Sequence, residues 1–281
     1  MRLHNETNYD IRILQRKIIG NLEAVDRVCR EHHLRYYLWA GTMLGAVRHK
    51  GFIPWDDDID LVMPREDYDR FRKEFTSSKF RFIDRESNPA CWLSFGRVVE
   101  TERTHIASMQ AWHSPAINTG AWVDIFPMDA VPDDREEYMR LYRVFNRLLK
   151  MARKVRRQIA PIDKALPPKK RLTMWRRQLG HHPAEDPSTL VLDMIATARR
   201  ASAVPTGHVG LLLEPTTPSY YFEKSIFEEY VDLPFEDGAF PCPARYDEVL
   251  RACFGDDYMQ LPPENKRKTD LYKLGNVYWK D

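Results

Sequence analysis

The sequence predicts an α+β fold, a mixed sheet flanked by helices with a helical insertion or lobe, and three observations predict it. From Tyr9 to His33 the apolar residues Ile11, Leu14, Ile18, Leu22, Val25 and Val28 recur at three- and four-residue steps, the period of an amphipathic helix. Asp58, Ile59, Asp60, Leu61 and Val62 alternate polar and apolar, the period of a strand, and Ala121 to Met128 (AWVDIFPM) reads as a second strand whose one charge is Asp124. After Pro132 the character changes to a long basic helix, Arg135 to Arg157, followed by prolines at 161, 167 and 168.

Taken in order, the first helix leads into Leu34 to Ala40, an aromatic and aliphatic run that reads as a strand. Gly41-Thr42 makes the turn, and Met43 to Arg48 is a helical turn or two. A loop, Lys50 to Trp55, precedes the carboxylate strand, which Pro64 closes at the start of a helix carrying Tyr68, Phe71 and Phe75. Phe80 to Asp84 and Trp92 to Val99 read as strands. Lys169 to Leu179 and Ser188 to Ala203 read as helices, Gly207 to Leu213 as a strand and Ala244 to Phe254 as a helix, with an irregular, proline-punctuated stretch before the last. These changes divide the chain into a core at 1–132, a helical lobe at 133–205 and a C-terminal segment at 206–281 that packs back on the core.

The 281 residues are 43% hydrophobic, enough for a sizeable interior. With 43 basic and 41 acidic residues the net charge is +2, which argues against binding nucleic acid or membrane through bulk charge alone. Cys29, Cys91, Cys242 and Cys253 form no CxxC pair, so neither a zinc site nor a disulfide framework is signalled. The N-terminus lacks a continuous apolar region and no run approaches the ~20 apolar residues of a spanning helix. A cytoplasmic protein with no transmembrane segment is expected, leaving room for peripheral membrane contact.

Asp56, Asp57, Asp58 and Asp60 stand between Phe52-Ile53-Pro54-Trp55 and Leu61-Val62-Met63, so like charges are held together beside buried strand. A divalent cation would offset that repulsion, and the strand period sends Asp58 and Asp60 to one face where both can ligate it. A helix-loop-helix calcium loop is rejected, because its required glycine falls on Leu61 and its closing ligand on Asp67. Magnesium, or manganese, with phosphate oxygens completing its shell suits the pattern better. Gly41 would let backbone N–H groups approach a phosphate, with Thr42 adding a hydroxyl.

Gly41-Thr42, Leu44-Gly45, Arg48 and Ile53-Pro54-Trp55-Asp56-Asp57-Asp58-Ile59-Asp60 together resemble the signature of the LicD family, the phosphocholine transferases related to fukutin and fukutin-related protein. Arg65 to Phe71, Val123 to Asp129 and Phe240-Pro241 through Tyr258-Met259 resemble further family blocks, whereas Arg135 to Ala203 does not. The resemblance implies a nucleotidyltransferase-like fold, with Asp58 and Asp60 as metal ligands and Asp124 as third ligand or base. It implies transfer of phosphocholine from CDP-choline to a hydroxyl of a glycan or lipid-linked saccharide, with release of CMP. Gly41, Thr42, Arg48, Trp55 and Asp57 are the expected donor-binding residues; Asp56 and Asp57 serve equally as outer acceptors or a solvated turn. Arg48, His49, Lys50 and Arg97 can meet phosphate or simply pair with acids. Trp39, Trp55, Trp92, Trp112, Trp122 and Tyr220 to Phe222 offer faces for a choline cation, though most aromatics are core. The basic helix can guide an anionic acceptor or be a solvated face. A CDP-ribitol or CDP-ethanolamine donor, a glycosyltransferase and a metal-stabilised binding module are the competing readings.

Overall fold

The computed structural model describes residues 3–4, 11–100, 102, 104–108, 120–164, 166–180, 187–268 and 275–280. Along the chain run β1 (Leu3–His4), α1 (Ile11–Glu31), β2 (Tyr37–Leu38), α2 (Ala40–His49), β3 (Asp60–Pro64), α3 (Arg65–Glu74), β4 (Phe80–Ile83), β5 (Gly96–Glu100), β6 (Thr104–Ser108) and β7 (Trp122–Val131). They are followed by α4 (Arg135–Ile159), α5 (Pro168–Gln178), α6 (Pro187–Ser202), β8 (His208–Gly210), β9 (Tyr221–Glu223), β10 (Tyr230–Phe235), β11 (Gly238–Pro243), α7 (Tyr246–Phe254) and β12 (Gly275–Lys280).

The main sheet has the order β2-β3-β7-β5-β4, with β8 added to β7 and β9 to β8. Among the described residues only β3 and β7 pair in parallel; their register sets Asp60 against Asp124 and Pro64 against Met128. On the other edge of β7, antiparallel β5 sets Arg97 against the same Asp124. Leu61, Val62, Met63 and all of β5 are buried, as expected of central strands covered on both faces. The predicted α+β class, a mixed sheet flanked by helices, is therefore the observed one.

Helix α1 forms where its periodicity places it. Leu14, Ile18, Leu22, Val25 and Val28 are buried as one stripe, and each such side chain contributes about 1.5–3 kcal/mol. The amides of its two buried polar residues donate across the core: Asn21 Nδ2 to the carbonyls of Val98 (2.8 Å) and Ala121 (3.0 Å), and Gln15 Nε2 to those of Asp56 (2.7 Å) and Ile53 (3.4 Å). Those bonds join the helix to β5, to the residue preceding β7 and to the carboxylate loop. A second apolar cluster gathers Phe145, Leu149, Val191, Met194 and Ile195 of α4 and α6 with Leu212 and Leu213.

Several local expectations shift. The run Leu34 to Ala40 gives a strand only at Tyr37–Leu38, because Ala40 already opens α2 at φ 43°. Trp92 to Phe95 is not strand; β5 begins at Gly96. Gly207 to Leu213 keeps strand only at His208–Gly210, since Leu212 and Leu213 turn into the cluster between α4 and α6. The stretch read as irregular contains the hairpin β10–β11, with Phe235 paired to Gly238 and Tyr230 to Pro243. Tyr9, at the expected start of the first helix, and Trp112 lie outside the described residues.

Candidate active site

Two close approaches hold the first helical turn of α2 against the start of β3. The Asp60 N–H donates to Thr42 Oγ1 (2.9 Å), and the Trp39 N–H donates to the Asp60 carbonyl (2.9 Å). Gly41 leaves room for Asp56, whose Oδ2 would lie 2.9 Å from any Cβ there. Gly45 admits the returning loop: a Cβ would meet the Gly51 carbonyl oxygen at 2.5 Å, backbone that has no means of yielding. The loop 50–56 is pinned a third time by Glu236 at the turn of β10–β11. Its carboxylate accepts from the Phe52 N–H (3.0 Å) and from Arg12 (2.6 and 3.0 Å), and its own N–H donates to the Lys50 carbonyl (2.9 Å).

This clamp concentrates negative charge. The regular ladder starts at Asp60, so Asp58 stands just outside the strand in which it was expected, with Ile59 fully buried between the two aspartates. Among the described residues, neither the Asp58 nor the Asp60 carboxylate has a hydrogen-bonding or ion-pairing partner. Burial first, and then Asp60, Asp56, Asp57 and Asp124, push the Asp58 carboxyl well above the ordinary carboxylate range. Asp60 is pushed up likewise by burial, then by Asp124 and Asp56, with Arg97 opposing. Like charges crowded in a low dielectric prefer a shared proton or a cation.

Asp124 is differently supported. Arg97 clasps it with two prongs, Nε to Oδ1 and Nη2 to Oδ2 (2.9 Å), and the guanidinium lies 4.2 Å from the Trp122 ring centre. Burial raises the Asp124 carboxyl and Arg97 opposes that rise. Among the described residues no group of three His, Cys, Asp or Glu side chains is gathered as a metal cage. Asp58 and Asp60 nevertheless suit a divalent cation of the magnesium type, which takes one or two carboxylates and fills its shell with water and substrate phosphate. The donor set is all oxygen and carries uncompensated charge.

Near Asp60 also stand Glu214, which the sequence did not single out, and Tyr220, which it offered only as an aromatic face. Helix α4 holds the 214–220 segment: Arg153 pairs with Glu214, Asn146 Nδ2 donates to the Pro215 carbonyl (2.9 Å), and Tyr138 Oη donates to the Tyr220 carbonyl (3.0 Å). Glu214 is close enough to add to the negative field on Asp60, and Tyr220 also feels Asp60. Burial lowers Arg156 of the same helix to about 10, with Arg153 adding to the effect and Glu214 opposing it. A basic helix was legible in the sequence; that two of its arginines face inward was not, because neither the helical period nor the charge run distinguishes them.

The remaining expected site residues are distributed as follows. Arg48 reaches the C-terminal segment, donating Nη1 to the carbonyls of Tyr258 (2.8 Å) and Gln260 (3.1 Å). Burial and the neighbouring Arg48 lower the His49 pKa. Trp55 meets His49 edge-on and carries the Arg267 guanidinium 5.7 Å from its ring centre, a cation already seated on an aromatic face. Asp57 is buried. Trp39 is core, packed edge-on against Tyr220 and Phe222. All four cysteines are free thiols.

Comparison with known proteins fits this arrangement. Residues 33–147, which run from the β2 lead-in through α2, the carboxylate loop and β7, match the family model described as LicD/FKTN/FKRP, nucleotidyltransferase domain. The chain is 28% identical over 257 residues to the lipopolysaccharide cholinephosphotransferase LicD of Haemophilus influenzae, a similarity spanning 88% of this chain and 90% of that protein. A shorter stretch of 57 residues, 20% of this chain and 10% of the relative, is 42% identical to the ribitol 5-phosphate transferase FKRP of mouse and of human. Residues 33–147 thus match a LicD-type nucleotidyltransferase domain, and along most of its length the chain is similar to a cholinephosphotransferase.

Proposed function

We propose that the protein transfers phosphocholine from CDP-choline to a hydroxyl of a glycan or glycoconjugate and releases CMP, as a metal-dependent cytoplasmic phosphotransferase. The observation that carries this reading is the pair Asp58 and Asp60, held together beside Asp124 with more negative charge than Arg97 offsets, in a chain whose long match is to a cholinephosphotransferase. Asp58 and Asp60 would hold the magnesium or manganese ion, which when bound neutralises diphosphate charge.

The protein's own residues do the rest. The start of α2 faces donor phosphate with the N–H groups of Ala40 and Gly41, since those of Thr42 and Met43 donate to the Trp39 carbonyl, and Thr42 Oγ1 keeps that turn in register with Asp60. The acceptor oxygen attacks the phosphorus that bears choline, the P–O bond to CMP breaks with its electron pair leaving on CMP, and the acceptor proton passes to Asp124. Arg97 orients Asp124 for that transfer by fixing both of its oxygens. Arg156 and Arg153 bring positive charge beside Glu214, where an anionic substrate is drawn in.

Phosphorus NMR of CDP-choline with magnesium and a saccharide acceptor tests this: CMP and a new phosphodiester signal are expected, and an intact diphosphate overturns it. A polyol-phosphate donor is the second reading, favoured by the local match to the ribitol 5-phosphate transferases. Thermal stabilisation compared among CDP-choline, CDP-ribitol and CDP-ethanolamine separates the head groups.

A further inference from the structure

The near-neutral total charge conceals a strong segregation. Between Tyr138 and Gly180 lie fourteen of the chain's 43 Lys and Arg and one, Asp163, of its 41 Asp and Glu. Arg153 and Arg156 face inward; most of the others are on the surface. Arg143, Arg147, Lys150 and Lys154 follow one another at three- and four-residue steps along one exposed side of α4, sharing a hollow with Met151.

Helix α5 adds a feature that a merely solvated helix does not need. It buries Met174, and it is tied to the end of α4 by Gln178 Nε2 donating to the Ala160 carbonyl (2.6 Å). On the side away from Met174 it exposes Leu172 (45%) and Trp175 (51%). At 3.6 residues per turn these two lie about 60° apart on the outer arc, with Arg171 on one flank and Arg176 and Lys169 on the other. Two large apolar side chains in water, bracketed by cations with no acidic neighbour in the helix, form the pattern of a helix lying in a membrane interface. There the leucine and indole enter the headgroup boundary and the arginines meet phosphates.

We propose that the surface of α4 and α5 docks the protein onto an anionic phospholipid bilayer, with α5 lying in the plane of the interface. Charge complementarity selects the occupant, and the Leu172–Trp175 pair selects a bilayer over a nucleic acid, whose phosphates would leave both side chains in water. Among the described residues no helix is long and apolar enough to span a membrane, so the attachment is peripheral. The proposal is independent of which group the site transfers.

Sedimentation of the full chain with vesicles of phosphatidylcholine alone, and of phosphatidylcholine mixed with phosphatidylglycerol, tests it without any catalytic readout. Binding to the anionic vesicles only is expected, and raised salt should release it. The double variants Leu172→Ala/Trp175→Ala and Arg171→Glu/Arg176→Glu should each weaken binding at least ~10-fold, with circular dichroism and melting unchanged because all four side chains are exposed. Equal binding to neutral and anionic vesicles, no binding to either, or unchanged binding by both variants overturns the proposal. Binding of a single-stranded polynucleotide in place of vesicles, unaffected by Leu172→Ala/Trp175→Ala, overturns it in favour of a nucleic-acid surface.

Discussion

The two ends of the β3–β7 strand pair bury acids in opposite ways. At one end Asp60 faces Asp124 across the ladder with Asp58 and Asp56 nearby, and the negative charges outnumber Arg97. At the other, Asp129 is fully buried and fully answered: Arg65 Nε and Nη2 donate to its two oxygens at 2.7 and 2.9 Å, and Ser202 Oγ donates to Oδ1 at 2.8 Å. The strands and the residue type are the same, but Asp58 and Asp60 are only partly buried where Asp129 is fully buried, and they lack the partners that Asp129 has. A satisfied buried pair specifies structure, whereas an unsatisfied cluster is a standing demand for a ligand.

The largest expected effect comes from removing the demand. Asp58→Ala or Asp60→Ala should lower turnover by ~10³-fold or more, about 4 kcal/mol of transition-state stabilisation, without lowering the melting temperature of the metal-free protein. A loss of fold in those variants would erase the contrast between the two ends. Next, Asp129→Ala strands a buried guanidinium and should destabilise by about 3–5 kcal/mol in urea, and Arg65→Met/Asp129→Leu should recover most of it. If Asp129→Ala is silent, the far end is not structural.

The third effect is a pH slope. Because Asp58 and Asp60 hold protons longer in the folded than in the unfolded chain, their contribution is fully present below the ordinary carboxylate pKa and is lost as pH rises through the raised folded values. Melting of metal-free protein should therefore fall as pH rises through and above that range, and magnesium should flatten the slope. A slope that magnesium leaves untouched would separate the cluster from cation binding. The smallest effect is Thr42→Val, which deprives the Asp60 N–H of its acceptor and should cost about 1 kcal/mol, with Thr42→Ser retaining the bond.

What the sequence disclosed follows from what each signal encodes. Period two made Asp58 and Asp60 a pair, an apolar run with one charge made AWVDIFPM a strand, and period 3.6 found α1; these signals are local, though the ladder begins only at Asp60 and leaves Asp58 outside it. The parallel register joining Asp60 to Asp124 is not local; the family resemblance implied only a third carboxylate on a neighbouring strand, and the structure supplies the ladder. The hairpin β10–β11 was missed because Pro234, Pro241 and Pro243 read as breaks, although Asp237-Gly238 carried a turn signal. Glu236 and Glu214 had no signal at all, since their meaning lies in partners far away in sequence, and Tyr220 was read only as one of several available aromatic faces.

The clamp on the carboxylate loop also sets a timetable. Arg12 and Gln15 emerge first during synthesis, Gly41 to Asp60 soon after, but Glu236 arrives only when most of the chain has been made. Until the β10–β11 turn closes, the loop carrying Trp55 and the aspartates lacks its third anchor. The contacts within residues 12–60 can form early, and the last anchor of the loop waits for the C-terminal hairpin.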